Sequence, residues 1–189
     1  ALTLAEKGYW VFRMGKMVHK PLKAFHPHIL DYATSEYKSD FLDLWLMANC
    51  FFCISTATGI DVVAGVVFRR PVAYVNAVSL GFIVPQANRD SIWLPKKVIW
   101  TDSKKQLTLE EQIETGAIGF LFSKEFVKAG VELIDNSPEE ITKTVLEIEA
   151  KITELWKLQP KDNDRQKKIL EYSANMGKVS RIAWPNTEQ

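Results

Sequence analysis

Apolar and polar residues follow one another along this chain in short blocks whose spacing alternates between that of strands and that of helices. Short apolar runs predict strands, and apolar residues that recur every three or four positions predict helices. The predicted strands are GYWVFRMGK (8–16), HILDYA (28–33), CFFCIS (50–55), PVAYVN (71–76) and VELIDN (131–136). The predicted helices are SDFLDLWLMAN (39–49), GIDVVAGVVFR (59–69), LTLEEQIETG (107–116), SKEFVKAG (123–130), one that starts at SPEE (137–140), and one over residues 164–174. This alternation predicts an α/β fold with a Rossmann-like, doubly wound parallel sheet.

Capping residues define where several of these helices begin. Ser39 is suited to cap the predicted helix at 39–49. Capping boxes start at Thr108 and Ser137, the latter with Pro138 in the first helical position. The helix after Ser137 carries one apolar stripe, which predicts that it packs on a core. The stripe consists of Ile141, Val145, Ile148, Ile152 and Leu155.

Two segments are apolar enough to predict extensive burial. The run CFFCIS (50–55) is continuous, as expected for a strand that is covered on both faces. The helix SDFLDLWLMAN (39–49) has apolar residues around most of its circumference, so we expect it to be well buried. A long loop containing PQANRDS (85–91) is predicted to follow the strand at 71–76.

The C-x-x-C pair, Cys50 and Cys53, is the first candidate for chemistry. A redox pair needs its first thiol exposed at a helix N-terminus, whereas this pair frames two phenylalanines in a predicted strand. A zinc site would need two more ligands at suitable spacing, and the three histidines lie in another segment, at His19, His26 and His28. We therefore interpret both cysteines as small buried apolar residues and predict no metal site.

The turn STATG (55–59) is the stronger candidate. In parallel α/β sheets, ligands bind at the carboxyl ends of the strands, where the start of a helix offers free N–H groups to an anion. The turn supplies a strand end, small side chains and hydroxyl groups, so we predict that it binds a diphosphate. The same pattern is equally typical of a capped connection between a strand and a helix that binds no ligand. The residues concerned are Ser55, Thr56, Ala57, Thr58 and Gly59.

Charged and amide residues around this turn extend the candidate site. Arg13 and Lys16 follow the first predicted strand, and a guanidinium at that sheet edge would suit a phosphate. Asn76 ends the strand at 71–76 and could contact a ligand or cap the loop. Asp61 lies in the first helical turn and would repel a phosphate unless it points towards a sugar hydroxyl.

Charge and cysteine content narrow the classes of function. Of 189 residues, 24 are Lys or Arg and 23 are Asp or Glu, so a net charge of +1 argues against a dedicated nucleic-acid binder. The apolar run VVAGVVF (62–68) is far shorter than the roughly 20 residues that span a bilayer.

Two cysteines give no disulfide framework, so we expect a cytoplasmic protein, with the inner face of the membrane as a further location. The first residues resemble the tail of a helix, and we expect the chain to be a fragment cut at a domain boundary.

Several segments, in order, resemble a family of bacterial glycosyltransferases assigned to surface-polysaccharide gene neighbourhoods. These segments are GYWVFRMGK, ILDYA, KSDFLDLWLMANCFFCISTATGIDVVAGVVFRRPVAYVN, LPKK, TLEEQI and DNSPEEI, and the likeness covers roughly residues 8–150. The chain is more distantly similar to the donor-binding half of heptosyltransferases, in which a turn of small residues and glycine follows a buried strand.

The resemblance implies the carboxy-terminal, Rossmann-like half of a GT-B enzyme, over residues 1–160, with a C-terminal helix and tail over residues 161–189. It implies transfer of a sugar from a nucleotide-diphosphate sugar to a glycan or lipid-linked acceptor, with no metal or other cofactor. The residues that fall on the motif positions are Arg13, Ser55, Thr56, Thr58, Gly59 and Asn76. The chain departs from the family pattern at Asp61 and, with threonine in place of the common serine, at Thr58.

The same resemblance implies an N-terminal acceptor-binding domain outside this chain, which would supply the catalytic base. Two other classes stay open from the residues alone. A nucleotide-sugar epimerase or hydrolase on the same fold would need carboxylates in the cleft, for which Asp40, Asp43 and Asp61 are the nearby candidates. A non-catalytic interaction domain would have kept the fold and lost the site.

Overall fold

A computed structural model describes residues 1–78, 90–155 and 164 of the chain. The helices are α1 (Leu2–Glu6), α2 (Asp40–Asn49), α3 (Ile60–Val62), α4 (Leu109–Glu114), α5 (Ser123–Lys128) and α6 (Pro138–Ile152). The strands are β1 (Val11–Phe12), β2 (Ile29–Leu30), β3 (Cys53–Ser55), β4 (Val72–Ala77), β5 (Ile92–Pro95), β6 (Lys97–Trp100) and β7 (Val131–Ile134). A π-helix (Val63–Val67) continues α3, and 3₁₀ turns cover Tyr32–Thr34 and Ala117–Gly119.

A parallel sheet of three strands, in the order β3-β4-β5, forms the centre of the molecule. Alternate residues of β4 pack on opposite sides of this sheet. On one side, Val72 and Tyr74 lie against the π-helix, where Gly65 lets the two elements approach closely. On the other side, Ala73 and Ile92 pack on Ile148 of α6. The described part of the chain is therefore a mixed α/β fold, with helices on both faces of a parallel sheet.

Two further strand pairs flank the central sheet. β1 and β2 form a short parallel pair. β6 and β7 pair antiparallel, with Val98 and Val131 in a second core that also includes Phe126 of α5. The alternation in the second half of the sequence had predicted a parallel arrangement. The structure instead pairs these two strands antiparallel, with Lys97 opposite Ile134 and Trp100 opposite Val131.

Both predictions of extensive burial are wrong. In the segment 50–55, only the last three residues form a strand, and the face of β3 that carries Ile54 is not covered, so that Ile54 is 39% exposed. In α2, Met47 is the one buried residue, whereas Phe41, Leu44 and Trp45 are more than half exposed. An apolar composition indicates a surface that packs against something else. It does not identify the element or partner that packs on it.

The predicted helix starts agree with the structure. Ser39 accepts a hydrogen bond from the Leu42 amide, and complete capping boxes begin at Thr108 and Ser137. The segment 59–69 is helical but changes to π-helical spacing after Val62. The predicted loop around residues 85–91 lies mostly outside the described residues, as does the predicted helix at 164–174 apart from residue 164. None of the described helices is long and apolar enough to cross a membrane.

Contacts between distant segments tie the N-terminal end of the chain to α6. Glu149 is buried on α6 and accepts hydrogen bonds from Lys7 Nζ at 2.6 Å and from Tyr9 Oη at 3.0 Å. Burial and the neighbouring Glu149 both raise the pKa of Tyr9, so its hydroxyl stays a donor at neutral pH. Tyr9 lies two residues before β1, and Glu149 therefore helps to fix where β1 enters the fold.

Candidate functional site

A cleft of about 660 Å³ lies where β1, the end of α2 and β3 meet. Its walls are mostly apolar. Some of its polar groups come from Tyr9 and from Asn49 at the end of α2, and others come from the ends of β1 and β3. The carboxyl ends of strands are where α/β folds bind ligands. The lining residues include Trp10, Phe12, Arg13, Met14, Trp45, Phe51, Ile54, Ser55, Thr56, Thr58 and Ile60.

Four of the eight predicted site residues line this cleft, namely Arg13, Ser55, Thr56 and Thr58. The structure thus brings Arg13 and the STATG turn together, although 42 positions separate Arg13 from Ser55 in the sequence. Four others are not part of the lining: Lys16, Gly59, Asp61 and Asn76. A role in binding stays a prediction for all eight.

The STATG turn is held in shape by its own side chains. Ser55 is buried, and its hydroxyl accepts a hydrogen bond from the Ala57 amide at 3.1 Å. Ala57 and Gly59 both have positive φ angles, of 62° and 99°, so the backbone turns sharply before α3. Thr56 and Thr58 are exposed on this turn, and within the described residues their backbone amides have no hydrogen-bond acceptor. These two amides are the ones that a ligand in the cleft could use.

Asp61 is buried beneath the same turn. Its Oδ1 accepts a hydrogen bond from the Gly59 amide at 2.7 Å, so that amide is already used within the protein. The carboxylate points back into the turn, and no ion pair to it is found in the part of the chain that the structure describes. Asp61 therefore fixes the turn and adds a negative charge behind it.

The guanidinium of Arg13 has partners within the protein. Its Nη1 pairs with Asp31 Oδ2 at 3.0 Å, and its Nη2 donates to the carbonyl of Lys20 at 2.8 Å. The same Asp31 oxygen accepts the Leu22 amide, so the three groups fold the loop after β1 back on itself. Lys16 lies in this loop and is exposed. The positive charge of Arg13 is largely balanced by Asp31, which leaves the cleft less cationic than the sequence alone predicts.

Asn76 takes part in a reciprocal pair of hydrogen bonds with Asn136. The Asn76 amide donates to Asn136 Oδ1 at 3.2 Å, and the Asn136 amide donates to Asn76 Oδ1 at 2.6 Å. Asn136 Nδ2 also donates to the Pro95 carbonyl. These bonds join the ends of β4 and β5 to the start of α6 at a bulge, where Asn76 has a φ of 51°. Sequence analysis did not identify Asn136, because its partner is 60 positions away.

Three aromatic side chains of the cleft were also missed as site residues, namely Trp10, Trp45 and Phe51. Phe51 stacks on Tyr9, with ring centroids 5.8 Å apart, and each of these rings lies two residues before a strand, β3 and β1 respectively. The signal available in the sequence was the excess of aromatic residues before and within the apolar runs. For Trp45 and Phe51, the apolar runs that contain them predict burial instead.

Burial determines the chemistry of the C-x-x-C pair. Both thiols are free, and burial raises the pKa of Cys50. Burial, then the neighbouring Cys50 and Asp61, raises the pKa of Cys53 to about 12. Such a thiol is protonated at neutral pH and is a poor nucleophile. Within the described residues, no group of three or more His, Cys, Asp or Glu side chains could hold a metal ion.

We expect Cys53 to react slowly with iodoacetamide in the folded protein. Near pH 8, a thiol with a pKa of about 12 has roughly a thousandfold less thiolate than one at the ordinary value of about 9. The measurement is the rate of alkylation by mass spectrometry in a Cys50→Ser variant, which isolates Cys53. The same variant unfolded in urea provides the unprotected rate, and equal rates in the two states would contradict a buried, protonated thiol.

No family model, no curated protein and no solved structure matches this chain.

Proposed function

We propose that this chain binds a nucleotide-diphosphate sugar in the cleft and is the donor-binding half of a GT-B-type glycosyltransferase. The observation that carries this proposal is the position of the cleft among the strands. β1 and β3 both line it, β1 pairs with β2, and β3 continues into β4 and β5. No hydrogen-bonded pairing joins β1 to β3 in the described residues. We infer from the shared cleft that the two strands are neighbours, which would give the order β2-β1-β3-β4-β5.

In that order, the chain moves to one side of the sheet from β1 to β2 and to the other side from β3 to β5. The direction of the connections therefore reverses between β1 and β3. In doubly wound sheets, the crevice outside the carboxyl ends of the strands at such a reversal is where nucleotides bind. The stacking of Tyr9 on Phe51 supports a common direction for the two strands, since each ring lies two residues before its strand. This arrangement favours a Rossmann-like, doubly wound sheet and a ligand in the cleft.

The polar groups of the cleft are suited to a diphosphate. The exposed amides and hydroxyls of Thr56 and Thr58 would donate to the phosphate oxygens, and Ser55 and Asp61 keep those amides in place. The apolar walls, with Trp10, Trp45 and Phe51, would hold the base or the sugar ring. During sugar transfer, the same donors would stabilise the charge that develops on the leaving diphosphate. The catalytic base would come from a partner domain.

The geometry offers less support to an epimerase or hydrolase. Such an enzyme needs carboxylates that contact the ligand, and the three nearby candidates, Asp40, Asp43 and Asp61, do not line the cleft. We therefore retain sugar transfer as the proposed reaction.

A thermal-shift panel of UDP, GDP, ADP and CMP tests the proposal. At a ligand concentration of about 100 times its Kd, binding stabilises the folded state by about 2.7 kcal/mol, so one member of the panel should raise the Tm by several degrees. Thr58→Glu, which puts a carboxylate in the turn, should abolish the shift. Thr101→Glu is the matched control, because Thr101 is exposed and outside the cleft.

Arg13→Ala is a less selective test, because it also breaks the ion pair with Asp31. A panel in which no nucleotide changes the Tm would overturn the proposal. A shift that survives Thr58→Glu would move the ligand away from the turn.

A further inference from the structure

The loop between β1 and β2 combines exposed apolar side chains with uncompensated positive charge. Phe25 is 90% exposed and Met17 is 83% exposed, which is unusual for large apolar residues. Between them and beside them, the loop carries Lys16, Lys20 and Lys23, all exposed. From residue 8 to residue 30 the sequence contains no Asp or Glu.

The described ion pairs leave these lysines unpaired. Arg13 is the one cation of this stretch with a carboxylate partner, Asp31, and no ion pair of the described residues involves Lys16, Lys20 or Lys23. The nearest acidic residues in sequence are Asp31, which is occupied by Arg13 and the Leu22 amide, and Glu6, followed by Glu36 and Asp40 at the entrance of α2.

The loop is tied to the residues before α2, because Lys38 Nζ donates to the Gly15 carbonyl. We call Met17 and Phe25, with the three lysines of the loop, the aromatic-basic face.

We propose that the aromatic-basic face docks on an anionic lipid bilayer. Apolar side chains that project from a surface can enter the boundary between headgroups and acyl chains, and lysines beside them attract anionic headgroups. A second copy of the chain is a poorer occupant, because a two-fold interface would set the same three lysines against one another. The face lies at the loop that leads from Arg13 and Met14 of the cleft, so docking would turn that side of the cleft towards the membrane. This inference does not depend on which ligand the cleft binds.

Co-sedimentation of the whole 189-residue chain with lipid vesicles tests the inference. We expect binding to phosphatidylcholine vesicles that contain about one quarter phosphatidylglycerol, weaker binding to phosphatidylcholine alone, and loss of binding as salt rises from about 0.1 M to about 0.5 M. Replacing Lys16, Lys20 and Lys23 by glutamine should lower the partition coefficient by roughly fivefold per lysine, or about a hundredfold together. Met17→Ser with Phe25→Ser should lower it at least about tenfold.

A matched control is available on α5, where exposed Val127 lies between Lys124 and Lys128. The variant with Val127→Ser and both of these lysines changed to glutamine alters the same types of residue elsewhere on the surface. It should bind vesicles like the unmodified chain. The substituted loop residues are exposed, so the Tm of each variant should be unchanged, and this is checked in parallel.

Three results would overturn the inference: absence of binding to the vesicles that contain phosphatidylglycerol, equal loss of binding in the α5 control, or equal binding at low and high salt. Light scattering of the free chain measures its oligomeric state and so tests a second copy of the chain as the alternative occupant. A dimer that dissociates when Met17 and Phe25 are changed would show that a second copy, and not a bilayer, covers the face. Nucleotide binding in the thermal-shift panel is a separate readout, so either proposal can fail without the other.

Discussion

Changing Asp61 to asparagine is expected to raise the affinity for the nucleotide that shifts the Tm by between about ten- and a hundredfold. Asp61 places a buried carboxylate directly behind the turn that we propose for the diphosphate, with its Oδ1 only 2.7 Å from the Gly59 amide. A charge at about 6 Å from a phosphate repels it by about 2.8 kcal/mol at an effective dielectric of about 20, and by about half of that at about 40. Each 1.4 kcal/mol is about a tenfold change in Kd.

Asparagine keeps the acceptor that the turn needs. Its Oδ1 can still accept the Gly59 amide, so the conformation of the turn should persist while the charge disappears. Asp61→Ala separates the two effects, because it removes the charge and the acceptor together. We expect this variant to be destabilised by about 1 to 2 kcal/mol.

Isothermal titration calorimetry with the nucleotide from the panel is the measurement. Asp102→Asn serves as the control, because Asp102 is exposed and does not line the cleft. An affinity that falls in Asp61→Asn would show that the carboxylate itself contacts the ligand, as a sugar hydroxyl would require. An unchanged affinity would place the phosphates away from the STATG turn.

The variant Ile148→Ala should lower the free energy of unfolding by about 3 to 4 kcal/mol. Ile148 has no exposed surface and packs against Ala73 and Ile92, so its truncation leaves a cavity between α6 and the central sheet. Substitutions of this kind in cores cost about 2 to 5 kcal/mol. For a chain of this size we expect a fall in Tm of about 10 °C.

Urea unfolding monitored by circular dichroism measures this effect. Leu155→Ala is the comparison, since Leu155 belongs to the same predicted apolar stripe but is largely exposed. It should change the unfolding free energy by less than about 0.5 kcal/mol. A loss for Ile148→Ala no larger than that of the control would mean that α6 does not cover the sheet.

Local signals in this sequence predicted local structure well. The helix starts at Ser39, Thr108 and Ser137 depend on a hydrogen bond to a residue three positions away, and the structure contains all three. Pro71 was expected at the beginning of a strand, and β4 begins at the next residue. Such features are set by the chemistry of neighbouring residues and do not require the rest of the fold.

The predictions that failed, or that the structure changed, depended on partners distant in sequence. Whether α2 is buried is determined by what packs on it, and an apolar helix has the same sequence pattern with or without a cover. The charge that Arg13 offers to a ligand depends on Asp31, and the setting of Asn76 depends on Asn136. The sequence predicts only the polar residues of the cleft. Hydroxyl and cationic side chains are typical of ligand sites, whereas tryptophans in apolar runs have the same pattern as core residues.

The contacts of Glu149 with Lys7 and Tyr9 have a consequence for how the chain acquires its structure on the ribosome. They join residues about 140 positions apart, so the N-terminal segment must wait for α6 before its polar groups find their buried partner. Contacts of such long range form late and slow folding. During synthesis, β1 and the cleft beside it would therefore be completed only after α6 has left the exit tunnel.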